Sequence, residues 1–515
     1  MEAISPQRIP PDSMNVGAAP PRVLLHPGQL PSCPVTERMR PSPDLPVIIQ
    51  GGMGVGVSNW RLARAVASCG QLGVVSGTGL DTVLVRRLHD GDPGGHLRRA
   101  LEASPLPGLA ERVLDRYLRP EGAPGEEPYP VLPMYRQGVD PARDGLTVLA
   151  NFVEVHLARA GHDGPVGLNL LTKIQLPNLA SLYGAMLAGV DYVLMGAGIP
   201  REIPGILDRL ARHEPVELTL DVEGLPRGER EVARLAPRRI LEAEAAELKR
   251  PAFLPIVSSD SLARMLERKA TGRIDGFVVE GPSAGGHNAP PRGGGTTDAR
   301  GEPVYGERDR ADLERVAELG IPFWVAGGQG DPRRLREARA AGAQGVQVGT
   351  LFAYALESGL IDAHKREVLE ASREGALEVR TEARASPTGF PFKTVQLDDT
   401  LSSPDVYEAR ERRCDLGYLR SAYRDASGRV AWRCPAEPAG TWVRKGGAPA
   451  ETEGRRCLCN ALMANVGLGQ VAEDGRREPP LFTAGDEIRE MDRFLAGRAS
   501  YEARDVIRYL LDEGP

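Results

Sequence analysis

A unit that repeats from residue 47 onwards is the feature that most constrains the fold of this chain. Each repeat contains a short apolar or β-branched run, a glycine-rich turn and an amphipathic stretch. In the first repeat, Val47–Gln50 leads into a turn at Gly51–Gly54, and a helix is predicted from Ser58 to Ser68 with Ser58 as its N-cap. Strands that alternate with helices indicate a parallel sheet. The predicted strands are Val47–Gln50, Leu72–Val75, Val166–Leu170, Tyr192–Met195, Leu254–Val257, Gly276–Val279, Phe323–Ala326 and Gly345–Val348.

Eight such units predict closure of the sheet into a barrel, so the fold class is α/β, a (β/α)₈ TIM barrel with insertions and a C-terminal subdomain. We predict the barrel over residues 46–375, after a proline-rich N-terminal arm at residues 1–45 that reads as extended or unfolded chain. The barrel repeat ends near residue 375, and residues 376–515 contain four of the six cysteines. We therefore predict a C-terminal subdomain there, which ends in a helical run from Tyr501 to Leu511.

Two stretches do not fit the barrel repeat and are predicted to be insertions. The first, at about residues 86–160, reads as mainly helical. The second, at about residues 216–250, contains a strand-like run, Val216–Leu220, and a Glu-rich segment, 229–249, that is predicted to be helical.

Charge and hydropathy exclude several classes of partner. The formal net charge is -6, which gives no electrostatic reason to expect nucleic acid or an anionic membrane as a partner. No apolar run approaches the ~18 residues that a membrane span requires. The N-terminus lacks the apolar core of a signal peptide, so a cytoplasmic location is expected. A small-molecule substrate is predicted, and a homo-oligomer remains open.

The glycine-rich turns all follow strands, which places them at the catalytic face of a barrel. Two late turns matter most: Ala326–Gly328 follows strand seven, and Gly349–Thr350 follows strand eight. Loops at these two positions recurrently bind phosphate, because free backbone N–H groups meet there near a helix N-terminus. Tight turns without a ligand are the alternative, but two such turns on the expected strands favour a phosphate site.

The most specific string is EGPSAGGH at Glu280–His287, directly after strand six. We predict that His287 sits on an exposed loop end at the barrel mouth. Histidine there suits a general base or a hydrogen-bond donor near neutral pH.

Four motifs in this order resemble the motif set of the nitronate monooxygenase (2-nitropropane dioxygenase) family. They are QGGMG at Gln50–Gly54, EGPSAGGH at Glu280–His287, AGG at Ala326–Gly328 and GVQVGT at Gly345–Thr350. The flavin-dependent enoyl reductases, including those that act in polyketide and polyunsaturated fatty acid synthases, have a similar set. All of these are FMN barrels, and the resemblance covers roughly residues 46–360.

The resemblance implies a role for each matching residue. Backbone groups of the first turn would contact the flavin ring, Asn169 its ring or ribityl chain, and Glu280 the ribityl hydroxyls. His287 would stand beside the flavin N5 and face the substrate, and Met195–Gly198 would line the pocket floor. The implied cofactor-binding residues are Gly52, Met53, Asn169, Glu280, Ser283, Gly285, Gly286, Gly327, Gly328, Gly349 and Thr350, and the implied catalytic residue is His287.

The loop after His287 departs from the family pattern, since it contains two prolines and Arg292. A cation there would suit an anionic substrate; a solvated loop residue is the equal alternative.

Three functions remain open on this basis, and the first of them is favoured. The first is oxidation of a nitronate or nitroalkane with O₂ to a carbonyl and nitrite, with FMN as cofactor. The second is reduction of an activated C=C by NAD(P)H through the flavin, on acyl or polyketide intermediates, with an acyl-carrier or synthase partner. The third is a flavin-binding partner protein with little turnover.

Four of the six cysteines cluster in the C-terminal part: Cys414, Cys434, Cys457 and Cys459. Four thiolates suffice for a tetrahedral zinc site, although the spacing is not that of paired C-x₂-C motifs. Ordinary buried thiols rank first and a structural zinc second. A reactive thiol ranks third, since a helix capped by Asn460 would lower the pKa of a cysteine just before it.

Overall fold

A computed structural model describes residues 42, 44–122, 124, 125, 127–293 and 295–512. The predicted N-terminal arm therefore lies almost wholly outside the described residues.

Eight parallel strands close into a barrel in the order β1-β8-β7-β6-β5-β4-β3-β2, so the predicted fold class is confirmed. Each strand pairs in parallel with both neighbours. The barrel strands are β1 Ile48–Gln50, β2 Leu72–Ser76, β3 Val166–Leu171, β4 Tyr192–Gly196, β5 Ala252–Val257, β6 Phe277–Glu280, β7 Phe323–Ala326 and β8 Gly345–Val348.

Helices follow the strands and cover the outside of the barrel. Those that precede residue 375 are α1 Trp60–Ser68, α2 Leu80–His89, α3 His96–Glu102, α4 Pro107–Tyr117, α5 Pro141–Arg159, α6 Gln175–Leu187, α7 Ile203–Ala211, α8 Asp260–Lys269, α9 Leu313–Ala317, α10 Pro332–Ala340, α11 Thr350–Ala353 and α12 Asp362–Arg373. The later ones are α13 Pro404–Ala409, α14 Ala439–Arg444, α15 Leu458–Ala464, α16 Met491–Leu495 and α17 Ala503–Leu510.

The start of α1 corrects one prediction. Asn59, not Ser58, is the N-cap, and its side chain accepts a hydrogen bond from the N–H of Leu62 at 3.0 Å. The Ser58 hydroxyl is used elsewhere, because it accepts from the N–H of Met53 at 3.0 Å in the turn after β1. The residue that resembled a cap therefore shapes the catalytic face.

The barrel interior is filled by apolar side chains that alternate along the strands with others facing the helices. Ile48 packs among the outer residues and Ile49 among the inner ones, as the period of two requires. The inner cluster is Ile49, Leu72, Val74, Leu194, Leu254, Val278, Trp324 and Ala326. Such packing makes the barrel a solid core, so a ligand has room only beyond the strand ends.

The first insertion is helical, as predicted, and consists of the end of α2 and helices α3 to α5. In the second, Val216–Thr219 pairs antiparallel with Val232–Leu235, and beyond that strand only a 3₁₀ turn, Pro237–Arg239, is formed. The helix predicted for 229–249 is therefore wrong. The strand pairing overrides the helical propensity of its Glu, Ala and Arg residues, and the proline ends any continuation.

The C-terminal part forms two small sheets that both include earlier residues. Phe392–Val395 pairs with Val379–Glu382 and with Gly286–His287 from the loop after β6. Ser421–Arg424 pairs with Val430–Arg433 and with Val222–Glu223 from the second insertion. The late helix α17 is confirmed, whereas the division into domains at residue 376 stays a prediction. Within the described ranges, no helix is long and apolar enough to cross a bilayer.

Candidate functional site

A cavity of about 240 Å³ opens at the carboxyl ends of the barrel strands. Strand-end side chains form its floor, as the fold predicts for a ligand site. The strand-end residues that line it are Ser76, Asn169, Gly196, Ile256, Glu280, Ala326 and Gln347. Of the predicted cofactor-binding residues, the cavity brings together Gly52, Met53, Asn169, Glu280, Gly285, Gly286, Gly327, Gly328, Gly349 and Thr350, and it also contains His287.

The turn after β1 is held rigidly by two hydroxyls. Ser58 binds both ends of the turn, since its Oγ also donates to the Gly51 carbonyl at 3.1 Å, and the Ser76 Oγ donates to the Met53 carbonyl at 2.7 Å. Gly52 lies directly against Asn169: a Cβ on Gly52 would lie 2.2 Å from the Asn169 Cβ. Only glycine allows this approach, so the turn brings bare backbone next to the amide of Asn169.

Two side-chain amides at the floor offer unused hydrogen-bonding groups. The Oε1 of Gln347 is buried without a partner, and the side-chain amide of Asn169 makes no hydrogen bond to any described residue. Unpaired buried polar atoms are costly, so these amides indicate a polar ligand. Gln347 was missed in the sequence analysis. It lies inside the GVQVGT motif as the one polar side chain of an otherwise apolar strand, which was the available signal.

Glu280 ends β6, and its half-buried side chain lines the pocket. Burial alone raises the pKa of this carboxyl from its ordinary value of 4.5 to about 7. The group therefore changes between a donor and a pure acceptor of hydrogen bonds close to neutral pH.

This pKa predicts how the flavin-free protein depends on pH. In the folded state Glu280 keeps its proton up to about pH 7, whereas the unfolded chain loses it near pH 4.5. Stability is therefore lost as pH rises through that window. We expect Glu280→Gln to melt higher than the wild type, with a difference that grows from about pH 5 to pH 8 and reaches about 2 °C or more. Thermal unfolding followed by circular dichroism measures it, with the exposed Glu490→Gln as control; a difference that is constant with pH would contradict the assignment.

His287 differs from its prediction in one respect. It does not sit on an exposed loop end: Gly286–His287 is a short strand paired with Phe392–Val395, and the side chain is half-buried. Its Nε2 lies 2.7 Å from the Ser386 Oγ, and its ring packs edge-on against Phe392 at 4.8 Å. Burial lowers the pKa of His287 to about 4. The imidazole is therefore neutral at physiological pH and held in one orientation.

The turns after β7 and β8 bring glycine backbone to the cavity. Gly327 and Gly328 both take positive φ, +87° and +65°, and a Cβ on Gly327 would lie 2.8 Å from the Gly281 carbonyl oxygen. Gly349 is the N-cap of the short helix α11. Ser283 is the exception among the predicted residues. It lines a neighbouring outer cavity of about 700 Å³, with its Oγ facing Gly328 from that side.

The turn after β4 also lines the cavity, through Gly196 and Ala197 of the predicted Met195–Gly198 floor. Ala197 takes φ +51°, which is strained for a residue with a Cβ. Arg292, in contrast, lies outside the cavity. It is exposed, and its guanidinium donates to the Ser258 carbonyl at 3.2 Å. The suggestion that Arg292 brings positive charge to the pocket is therefore wrong.

The C-terminal part supplies the opposite wall, which the sequence did not predict. Tyr418 is fixed there because its hydroxyl hydrogen-bonds to Asp81 and to the Thr82 Oγ1 at 2.7 Å. Asp81 in turn forms a buried ion pair with Arg143 at 2.5 Å. The wall residues are Phe392, Tyr418, Leu419, Leu458, Cys459, Leu462, Met463, Asn465, Thr483, Ala484, Gly485 and Glu487. They are mostly apolar and cover one side of the pocket.

The four C-terminal cysteines line one small cavity of about 10 Å³. Nevertheless, the described part of the chain contains no group of three or more His, Cys, Asp or Glu that could hold a metal ion, so the zinc prediction gains no support. Cys457, not Asn460, is the N-cap of α15. Burial raises the pKa of all four thiols, that of Cys414 to about 12. Desolvation works against a reactive thiol here, so that prediction gains no support.

The fold and site define a (β/α)₈ barrel with a ligand pocket at its carboxyl end. Residues 236–390 match the nitronate monooxygenase family model. A probable nitronate monooxygenase from Bacillus subtilis is 33% identical over 132 residues, which are 25% of this chain and 36% of that protein. A nitronate monooxygenase from Paraburkholderia phytofirmans is 29% identical over 166 residues, which are 32% of this chain and 43% of that protein. The resemblance predicted from the motifs is confirmed over these residues: this part of the chain is similar to nitronate monooxygenases.

Two further proteins are similar to this chain. From Mycobacterium tuberculosis, (3aS,4S,5R,7aS)-5-hydroxy-7a-methyl-1-oxo-octahydro-1H-indene-4-carboxyl-CoA dehydrogenase is 33% identical over 143 residues, 28% of this chain and 36% of that protein. The solved structure of FabK from Thermotoga maritima is 18% identical with a TM-score of 0.45, covering 91% of this chain and 92% of that chain. The matched regions thus span well under half the length of these curated relatives.

Proposed function

We propose that this chain is an FMN-dependent oxidoreductase that binds its flavin in the barrel pocket. The observation that carries the proposal is the convergence, at one end of the barrel, of a bare glycine turn, two unpaired amides and an anion-binding turn. These are the three kinds of group that a flavin ring, its edge heteroatoms and its phosphate require.

Three observations test whether the residues present fit FMN. A Cβ on Gly52 would fill the space next to Asn169, so this cradle depends on glycine. The Oε1 of Gln347 is a buried acceptor that lacks a donor, as a flavin N–H would provide. Finally, the N–H of Gly330, two residues beyond the predicted phosphate turn Ala326–Gly328, donates to the carboxyl group of Glu487 at 2.9 Å, which supports an anion site beside this turn. The residues fit the cofactor.

The proposal gives each group a task. Backbone at Gly52 and Met53 and the amides of Asn169 and Gln347 would hold the ring, and Glu280 would accept hydrogen bonds from the ribityl hydroxyls. The turns after β7 and β8 would hold the phosphate. When bound, FMN supplies the redox chemistry by accepting electrons from a substrate and passing them to an acceptor.

The favoured reaction is oxidation of a nitroalkane or its nitronate with O₂ to a carbonyl compound and nitrite. The family match supports it and includes the His287 motif. No arginine or lysine of the described chain lines the pocket, so a neutral substrate suits it better than an anion. The neutral imidazole of His287 then accepts the α-proton of the nitroalkane, or directs a nitro oxygen by donating from its N–H. Ser386 and Phe392 keep the ring aimed at the pocket.

A second reaction, NAD(P)H-dependent reduction of a C=C bond in an acyl substrate, is also supported. One similar protein is named as a dehydrogenase of a carboxyl-CoA compound, and the apolar wall of this pocket fits an uncharged acyl chain. An acyl-carrier or synthase partner would belong to this alternative.

Anaerobic reduction of the bound flavin distinguishes these reactions. The purified protein, reconstituted with FMN, is mixed with a nitroalkane, its nitronate or NAD(P)H, and the loss of flavin absorbance is recorded. Bleaching by the nitro compounds alone supports the oxidation, and bleaching by NAD(P)H alone makes the protein a reductase. A bound flavin that none of these reduces contradicts both reactions and favours a flavin-binding partner with little turnover.

A further inference from the structure

The C-terminal segment Thr483–Glu487 is hydrogen-bonded to the turn after β8, which is assigned to the phosphate, and to the loop after β6. The N–H of Gly485 donates to the Thr350 Oγ1 at 2.9 Å, and the N–H of Asp486 donates to the Ser283 carbonyl at 3.1 Å. The segment is also tightly fitted, since a Cβ on Gly485 would lie 2.9 Å from that carbonyl oxygen. These contacts fix Glu487, the last residue of the segment, beside the proposed phosphate site.

The carboxylate of Glu487 takes up the donors of this site. It accepts the N–H of Gly330 at 2.9 Å. Burial raises the pKa of Glu487, and hydrogen bonds from Gly330 and from the N–H and hydroxyl of Thr350 act in the opposite direction. Within the described residues Glu487 has no cationic partner: Lys393, the nearby buried cation, pairs with Asp486 at 2.7 Å. The carboxylate thus depends on the same N–H and O–H groups that a phosphate would use.

Resting on the proposed function, we propose that Glu487 is an internal anion that competes with the FMN phosphate for the turns after β7 and β8. One set of donors cannot satisfy a carboxylate and a phosphate at once, and two like charges at contact distance repel. Flavin with its phosphate therefore binds only when the Glu487 side chain leaves. Glu487 sets how strongly the site favours a phosphorylated flavin over riboflavin.

The structure offers the displaced side chain a place to go. Glu487 lines both the barrel pocket and the outer cavity of about 700 Å³. Arg310 lines that outer cavity too and forms no ion pair with any described residue. The other arginines there are engaged, for example Arg333 with Asp331 at 2.8 Å. Movement outward brings the carboxylate towards a cation and solvent, and leaves its N–H donors to the phosphate.

The test compares two flavins that differ only in the phosphate. The dissociation constants of FMN and riboflavin are measured by quenching of flavin fluorescence, with the full-length flavin-free protein and with Glu487→Gln. Glutamine keeps a hydrogen-bond acceptor but removes the charge. We expect FMN to bind at least about tenfold more tightly to the variant, because one charge contact is worth more near a protein surface than in bulk water, with riboflavin unchanged. Glu473→Gln, which removes an exposed charge that lines neither cavity, should change neither.

Each outcome decides the matter. An unchanged ratio of FMN to riboflavin affinity, or weaker FMN binding in Glu487→Gln, overturns the role of Glu487 and leaves the flavin site intact. Binding of neither flavin by any of the proteins overturns the proposed function together with it. Should the glutamine variant fold poorly, Glu487→Ala is measured in the same way and must show the same gain for FMN alone.

Discussion

Replacing His287 with alanine is expected to lower turnover by about 100-fold or more while FMN stays bound. The neutral imidazole lies at the pocket, with its Nε2 2.7 Å from the Ser386 Oγ and its ring against Phe392. As a neutral imidazole it can accept a proton from a nitroalkane or donate a hydrogen bond to a nitro oxygen. Steady-state rates measure the loss, and the FMN dissociation constant shows whether the cofactor site survives.

A second histidine provides the control for lost packing. His364 also contacts a phenylalanine, Phe482, with ring centroids 4.7 Å apart, but it lies outside the pocket. His364→Ala should leave turnover unchanged. Turnover that is equally unaffected in His287→Ala would reject the catalytic role, and loss of FMN in that variant would make the role structural.

Replacing Gly52 with alanine is expected to weaken FMN binding by about 100-fold or more, the effect of displacing a well-packed backbone turn by about 1 Å or more. The added Cβ would lie 2.2 Å from the Asn169 Cβ and 2.5 Å from its Cγ. Because β3 is paired with strands on both sides, the turn is the part that shifts. The Gly52 backbone and the Asn169 amide then lose their contacts with the flavin ring. Flavin fluorescence titration measures the change.

Gly54, two residues further along the same turn, is the matched control. A Cβ there would meet Val57 at 3.5 Å, an ordinary contact, and φ is not in the left-handed region. Gly54→Ala should therefore bind FMN like the wild type. Equal affinities in the two variants would mean that the Gly52 turn does not contact the flavin.

The barrel was predictable because its signals are local. Each strand is an apolar run followed by a glycine turn, and alternation along the strand separates inward Ile49 from outward Ile48 without knowledge of the rest of the chain. The position of Gly327 and Gly349 at the pocket could likewise be predicted, because each directly follows a strand, β7 or β8. The error at Ser58 arose where two neighbouring residues, Ser58 and Asn59, both suit an N-cap and only the tertiary contact with Met53 decides between them.

The rest of the site depends on contacts across long stretches of sequence. Phe392 reaches His287 through a strand pairing, and Glu487 reaches the turn at Gly330 over 157 residues. The periodicity of apolar residues within a segment does not predict contacts between distant segments. For the same reason, the strand at Val232–Leu235 was mistaken for helix, since its partner lies in another part of the insertion.

Binding of FMN is the central claim, and the visible absorbance spectrum of the purified protein tests it most directly. The spectrum is recorded as purified and again after titration with FMN, beside Gly52→Ala and Gly54→Ala. We expect flavin bands that report one FMN per chain in the wild type and in Gly54→Ala, and much weaker binding in Gly52→Ala. A wild-type protein that shows no flavin bands, even after FMN is added, would contradict the account.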